Sequence, residues 1–150
     1  MSNSVFLNPL EQDLVELDRH LLAIIKRYQH VEQRLTEQQL GSVGETVRAR
    51  LQKLEAEHED FRRSLKARDL LPHGPEADLE DIKRGFASLR AWIESDQTQA
   101  LLTWLIETEQ AWQETLSNFR SNELKDSQIK PLYESALASI DALKKHQDED

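Results

Sequence analysis

Residues 8–35 read NPLEQDLVELDRHLLAIIKRYQHVEQRL. Leu10, Leu14, Leu17, Leu21, Ile24, Tyr28, Val31 and Leu35 recur at alternating spacings of four and three. At about 100° per residue, that spacing keeps one side of a helix apolar for about seven turns. Leu22 and Ile25 widen the apolar face. Asn8 is placed to cap the helix, Pro9 suits its first position, and Glu11 stands where a capping box wants an acid. The pattern predicts a long amphipathic helix that fades near Gln39. A helix so one-sided needs partners to cover its stripe.

The partners follow in order. Ser42 and Glu45 form an S-x-x-E capping signature, and Val47, Leu51, Leu54, His58, Phe61 and Leu65 repeat the same spacing. This second helix is expected to run to about Leu70, before Pro72 and the His73-Gly74-Pro75 group. The break at Gly41 is short, which makes the first two helices antiparallel neighbours. Leu79, Ile82, Phe86, Leu89 and Ile93 predict a shorter helix from about Asp78 to Ile93, with Gly85 lowering its propensity. It reads as a crossover along the length of a bundle.

A third main helix begins near Asp96 or Gln97 and turns Leu101, Leu102, Leu105, Trp112, Leu116 and Phe119 inward. A fourth begins between Asp126 and Lys130, has Pro131 in or just past its first turn, and carries Ile129, Leu132, Tyr133, Ala136, Ile140 and Leu143. The tail after His146 is acidic and is expected to fray. Two antiparallel hairpins joined by one long crossover make a ferritin-like four-helix bundle with a short extra helix, in a single domain over residues 1–150. A simple array with the crossover helix as a fifth member is the alternative.

Composition agrees. Hydrophobic residues are 38% and charged residues 31%, a balance for thin helices with solvated outer faces, not for a membrane protein. No stretch approaches the roughly 20 apolar residues of a membrane span. Only four Gly and four Pro occur in 150 residues, which favours helix over strand. The net charge of -9 argues against nucleic acid as a partner, since phosphate binding wants a basic face. No Cys is present, which excludes a disulfide scaffold, a thiolate zinc site and a cysteine nucleophile, and suits a reducing cytoplasm. Met1 to Glu16 shows no basic segment followed by an apolar run, so no secretory leader is expected.

The chemistry available to such a bundle is metal binding. Ferritin-like centres use one Glu from each of two helices and a Glu-x-x-His pair from each of the other two. Residues three apart share a helix face, so both can reach one metal. Glu55 and His58 form such a pair on the second helix, with His58 on the stripe between Leu54 and Phe61. On the third helix Glu109 projects among Leu105, Trp112 and Leu116. These three are the candidate metal ligands, for iron, manganese or another divalent cation. Glu109 has a second reading, as the partner of a Tyr hydroxyl or a basic side chain, and His58 as a hydrogen-bonded histidine. The set is incomplete. Glu16 and His20 fall well away from the middle of the first helix's apolar face, and the fourth helix has no E-x-x-H. Trp92, Trp104 and Trp112 read as packing residues, with Trp104 a candidate for a partner surface. Arg62, Arg63, Lys66 and Arg68 read as a solvated basic group. No phosphate loop, nucleophile elbow or zinc-hydrolase motif appears.

The chain resembles a bacterial ferritin-like, rubrerythrin-related four-helix bundle family of unknown function. The run LQKLEAEHEDFRRSL at 51–65 is similar to that family's second helix. The stretch RGFASLRAWI at 84–93 looks like its crossover, where a small residue and a Trp recur at this separation. Thr108 to Trp112 is similar to its third helix, which usually carries an acid at the position of Glu109. The resemblance covers most of the chain and implies a bundle related to rubrerythrin and ferritin. It carries a ligand role to Glu55, His58 and Glu109 alone.

Two functional classes follow. One is a non-catalytic or degenerate ferritin-like bundle that acts through protein interactions, as a homodimer or with a protein partner. The other is a metal-dependent oxidase or iron-handling protein built on the three candidate ligands.

Overall fold

A computed structural model of the chain describes residues 9–37, 41–70, 97–119 and 128–148. They form four helices: α1 (Pro9–Glu37), α2 (Gly41–Ala67), α3 (Thr98–Ser117) and α4 (Lys130–Asp148). No strand occurs among the described residues. The expected crossover helix from Asp78 to Ile93 lies outside them, as do the Asn8 cap and Trp92.

The stripes read from the sequence do meet in one core. Leu14, Leu17, Leu21, Ile24, Tyr28, Val31 and Leu35 of α1 are all buried. So are Val47, Leu51, Leu54, Phe61 and Leu65 of α2, the inward face of α3, and Leu132, Ala136, Ile140 and Leu143 of α4. Each fully buried Leu or Ile contributes roughly 1.5–3 kcal/mol, and together these side chains supply the main force holding the helices together.

Side-chain pairs fix the helix directions. Asp18 meets His58 and Arg62, while Glu32 meets Arg48, so α1 and α2 are antiparallel. Arg27 meets Thr108 and His20 meets Thr115, so α1 and α3 are antiparallel as well. Thr46 meets His146, and Phe61 faces the same cleft as Leu132, so α2 and α4 are antiparallel. It follows that α2 and α3 run parallel. The end of α2 and the start of α3 therefore lie at opposite ends of the bundle. The most extensive packing is within the α1–α2 and α3–α4 pairs; α1 also packs on α3, and α4 packs more lightly on α2.

Helix ends follow local chemistry. Ser42 lies inside the first turn of α2, which begins at Gly41, and its carbonyl accepts from the Thr46 hydroxyl at 3.1 Å. The helix thus begins two residues earlier than a cap at Ser42 would place it. At the other end α2 stops at Ala67, three residues before Leu70. There the N–H of Leu70 donates to Leu65 O at 2.9 Å and that of Asp69 to Lys66 O at 3.0 Å. This is a Schellman closure, with Asp69 in the left-handed region at φ 57 and Leu70 packed back on the core. Gln128 and Ile129 make a wide π-type turn before α4, and Pro131 sits at its N-terminal end, where a missing N–H costs no intrahelical bond.

Candidate functional site

The centre of the bundle is polar. Glu109 of α3 is fully buried, on the inward stripe with Leu105 and Trp112. Arg50 of α2 crosses the core to reach it. The guanidinium Nε donates to Glu109 Oε2 at 2.7 Å and Nη2 donates to Oε1 at 2.9 Å. The Tyr28 hydroxyl of α1 donates to the same Oε2 at 2.6 Å. Three helices thus place one acid, one base and one phenol at a common point. A two-pronged guanidinium–carboxylate contact is among the stronger protein hydrogen-bonded pairs, because both partners are charged and the forks match.

The electrostatics follow from this packing. Burial works against the Arg50 charge, but the adjacent Glu109 carboxylate outweighs it and holds the guanidinium protonated more firmly than usual. Burial, then the charge of Glu109, pushes the Tyr28 hydroxyl well above its ordinary range, so it stays a neutral donor. Arg50 has a third, weaker contact: its Nη1 lies 3.5 Å from Glu57 Oε1. Burial pushes the Glu57 carboxyl up, against the opposing effects of Arg50, a Ser135 hydrogen bond and Lys53.

A second polar cluster lies at the seam of α1 and α2. Asp18 is 2% exposed as a side chain and accepts from His58 at 3.0 Å and from Arg62 through both oxygens at 3.3 Å. Burial works to raise the Asp18 pKa, but the hydrogen bonds and charges of His58 and Arg62 win and hold it below the usual carboxylate range.

A third feature joins α1 to α3. The Arg27 guanidinium stacks 4.4 Å over the Trp104 ring and donates to Thr108 Oγ1 at 2.9 Å. Burial brings its pKa down to about 10. Below it, the buried His20 ring lies 5.2 Å from that of Trp112. The Thr115 hydroxyl lies 3.0 Å from Ala111 O and 3.1 Å from His20 Nδ1. His20 Nε2 is buried with no hydrogen-bond partner. Burial, then Arg27, lowers the His20 pKa to about 4.

The three residues expected as metal ligands sit in different surroundings. Glu55 is exposed on the outer face of α2. His58 is held by Asp18, and Glu109 by Arg50 and Tyr28. Asp18 and Tyr28 are ten residues apart on α1, or about 15 Å along the helix. His58 and Glu109 are therefore drawn to separate levels of the bundle. Among the described residues no three His, Asp or Glu side chains gather in a way that could hold a metal ion.

Glu109 reaching a Tyr hydroxyl and a basic side chain was legible from its place on the stripe; the identities of Tyr28 and Arg50 were not. Arg50 is about 60° round the helix from the middle of the α2 stripe, close enough to turn in but typed by its charge as a surface residue. Asp18, Arg27 and His20 were missed for the same reason. His20 in particular is buried, against the expectation that it lay off the apolar face. Trp104 is also buried beneath Arg27, so its ring is a packing and stacking surface. Arg62 belongs to the Asp18 cluster, while Arg63, Lys66 and Arg68 are exposed.

Fold and site together define an all-α four-helix bundle with a hydrogen-bonded ion pair at its centre. Comparison with protein-family profiles, with curated proteins and with solved structures finds no match for this chain. No described helix is long and apolar enough to cross a membrane.

Proposed function

We propose that the chain is a degenerate, non-catalytic ferritin-like bundle that acts through protein interactions, as a homodimer or with a protein partner in the cytoplasm. The observation that carries this reading is the Arg50–Glu109 pair. A metal centre in such a bundle would need Glu109 to offer its oxygens to a cation from outside. Here the protein supplies the cation itself, two-pronged and buried, and Tyr28 uses a further lone pair. Loading a divalent ion at Glu109 would require Arg50 to be expelled from its pair, and among the described residues its other carboxylate contact is Glu57 at 3.5 Å. Stranding a buried charge costs several kcal/mol.

The parallel course of α2 and α3, with α1 and α4 antiparallel to them, supports the ferritin-like arrangement, because two hairpins joined by one crossover produce it. With the centre closed on itself, function falls to the outer helix faces.

The test is elemental analysis of untagged protein from cells grown with added iron and manganese, paired with sedimentation equilibrium. Negligible bound metal and a reversible dimer at micromolar concentration are expected. Near-stoichiometric metal that disappears in Glu109→Gln would overturn the reading in favour of a metal-dependent oxidase or iron-handling protein.

A further inference from the structure

One end of the α1–α3 seam closes over a titratable group that the ion-pair centre does not use. His20 is buried there, its ring 5.2 Å from that of the fully buried Trp112. Among the described residues its hydrogen-bond contact is Thr115 Oγ1, 3.1 Å from Nδ1; Nε2 has none. Counted along α1 from Tyr28 and along α3 from Glu109, this contact lies roughly 10 Å from the centre, toward the end of α3.

A neutral imidazole suits this place and an imidazolium does not. The charged ring carries a proton on each nitrogen. Thr115 Oγ1 is placed to accept the one on Nδ1. The one on Nε2 meets no acceptor, and the neighbouring Trp112 nitrogen is a donor only. The charges nearby do not compensate. Arg27, two turns on along α1, repels a proton here. Toward the start of α1 stand Asp13, two turns away, and Glu16, exposed and paired with Arg19 at 2.6 Å. Asp18 turns instead to His58 and Arg62 of α2. On α3, Glu107 and Glu114 are exposed. A buried charge without a partner is costly, so a hydrated His20 takes a proton more readily than one in the closed seam.

We propose that this end of the seam is an acid-opened joint: a proton taken up at His20 releases the last turns of α3, Trp112 to Ser117, from α1. Glu109, gripped by Arg50 and Tyr28, is the hinge, and the part of α3 before it stays in place. The end of α3 is closed by bonds of 3.2 Å, from the Asn118 N–H to Glu114 O and Thr115 O and from the Phe119 N–H to Leu116 O. Helix ends open at lower cost than core segments. Opening hydrates His20 and bares Trp112, Leu116 and Phe119, an apolar surface that is otherwise buried. Burial, then Arg27, holds the His20 pKa at about 4 in the closed seam, against an ordinary value of 6.5. Between those values each unit of acidification raises the opened fraction about tenfold; above them opening does not respond to pH.

The test is native-state hydrogen exchange of the full chain from pH 7 to pH 4.5, read by NMR and corrected for intrinsic exchange. Protection at Thr115, Leu116 and Ser117 should fall about tenfold per pH unit below about pH 6.5. Leu51 and Leu54 of α2 and Leu105 of α3 should keep theirs. His20→Gln should flatten the dependence at the end of α3. In the parent chain, with no substitution, the His20 ring should titrate near pH 4. Loss of protection spread evenly over all four helices, an unchanged slope in His20→Gln, or a His20 ring that titrates at its ordinary value would overturn the proposal.

Discussion

Glu109 and Asp18 are both buried carboxylates facing an arginine, yet they are built differently. Glu109 sits at the centre of the bundle with Arg50, itself only 5% exposed as a side chain, at 2.7 and 2.9 Å. Asp18 sits at a seam with Arg62, 27% exposed, at 3.3 Å, and with His58, 14% exposed, at 3.0 Å. The acids are equally hidden; the cations are not. The difference lies in what happens when the acid is removed. Arg62 and His58 can turn to water, whereas Arg50 is buried, with Glu57 its other carboxylate contact among the described residues.

The sharpest way to break this comparison is to truncate each acid. Glu109→Ala should destabilise the protein by about 3–5 kcal/mol, because it strands a buried guanidinium and leaves the Tyr28 hydroxyl without an acceptor. Asp18→Ala should cost about 1–2 kcal/mol, the loss of hydrogen bonds to cations that can then be hydrated. Urea unfolding of both variants measures the gap. Equal costs would mean that the exposure of the cation does not govern the energetics.

An effect between these two comes from His20, a buried imidazole. Its folded pKa is lowered to about 4 from an unfolded value near 6.5. Between those values the unfolded chain binds the extra proton, so stability falls as pH falls. At 1.36 kcal/mol per unit the loss amounts to roughly 3 kcal/mol, complete near pH 4 and absent above about pH 6.5. Thermal unfolding from pH 7 to pH 4, beside His20→Gln, should show this slope in the parent and a shallower one in the variant. Identical slopes would assign the acid sensitivity to other groups.

The bundle's outline was readable because it depends on hydrophobic spacing. The stripes of α1 and α2 stand where the spacing of Leu14 to Leu35 and of Val47 to Leu65 puts them, and the helix ends are off by only a few residues. The polar centre was readable in part. Glu109 stood out because an acid on an apolar stripe needs a partner. Arg50, Asp18 and Arg27 did not stand out, because each lies on the flank of its stripe, where a charged residue ordinarily points outward. Whether a flank residue turns in depends on which helix is beside it, and one-dimensional spacing does not contain that information. The same limit separates Glu55 from His58. Three residues apart on one helix, they read as a pair, but a small rotation of α2 exposes the first and gives the second to Asp18.

Arg50 and Glu109 hold each other's charge across the core. A double-mutant cycle with Arg50→Met, Glu109→Gln and the combined variant tests it, read by urea unfolding. A coupling of at least about 2 kcal/mol is expected, with the combined variant far more stable than the sum of the single losses implies. Additivity within about 0.5 kcal/mol would contradict it and show that the two side chains do not depend on each other.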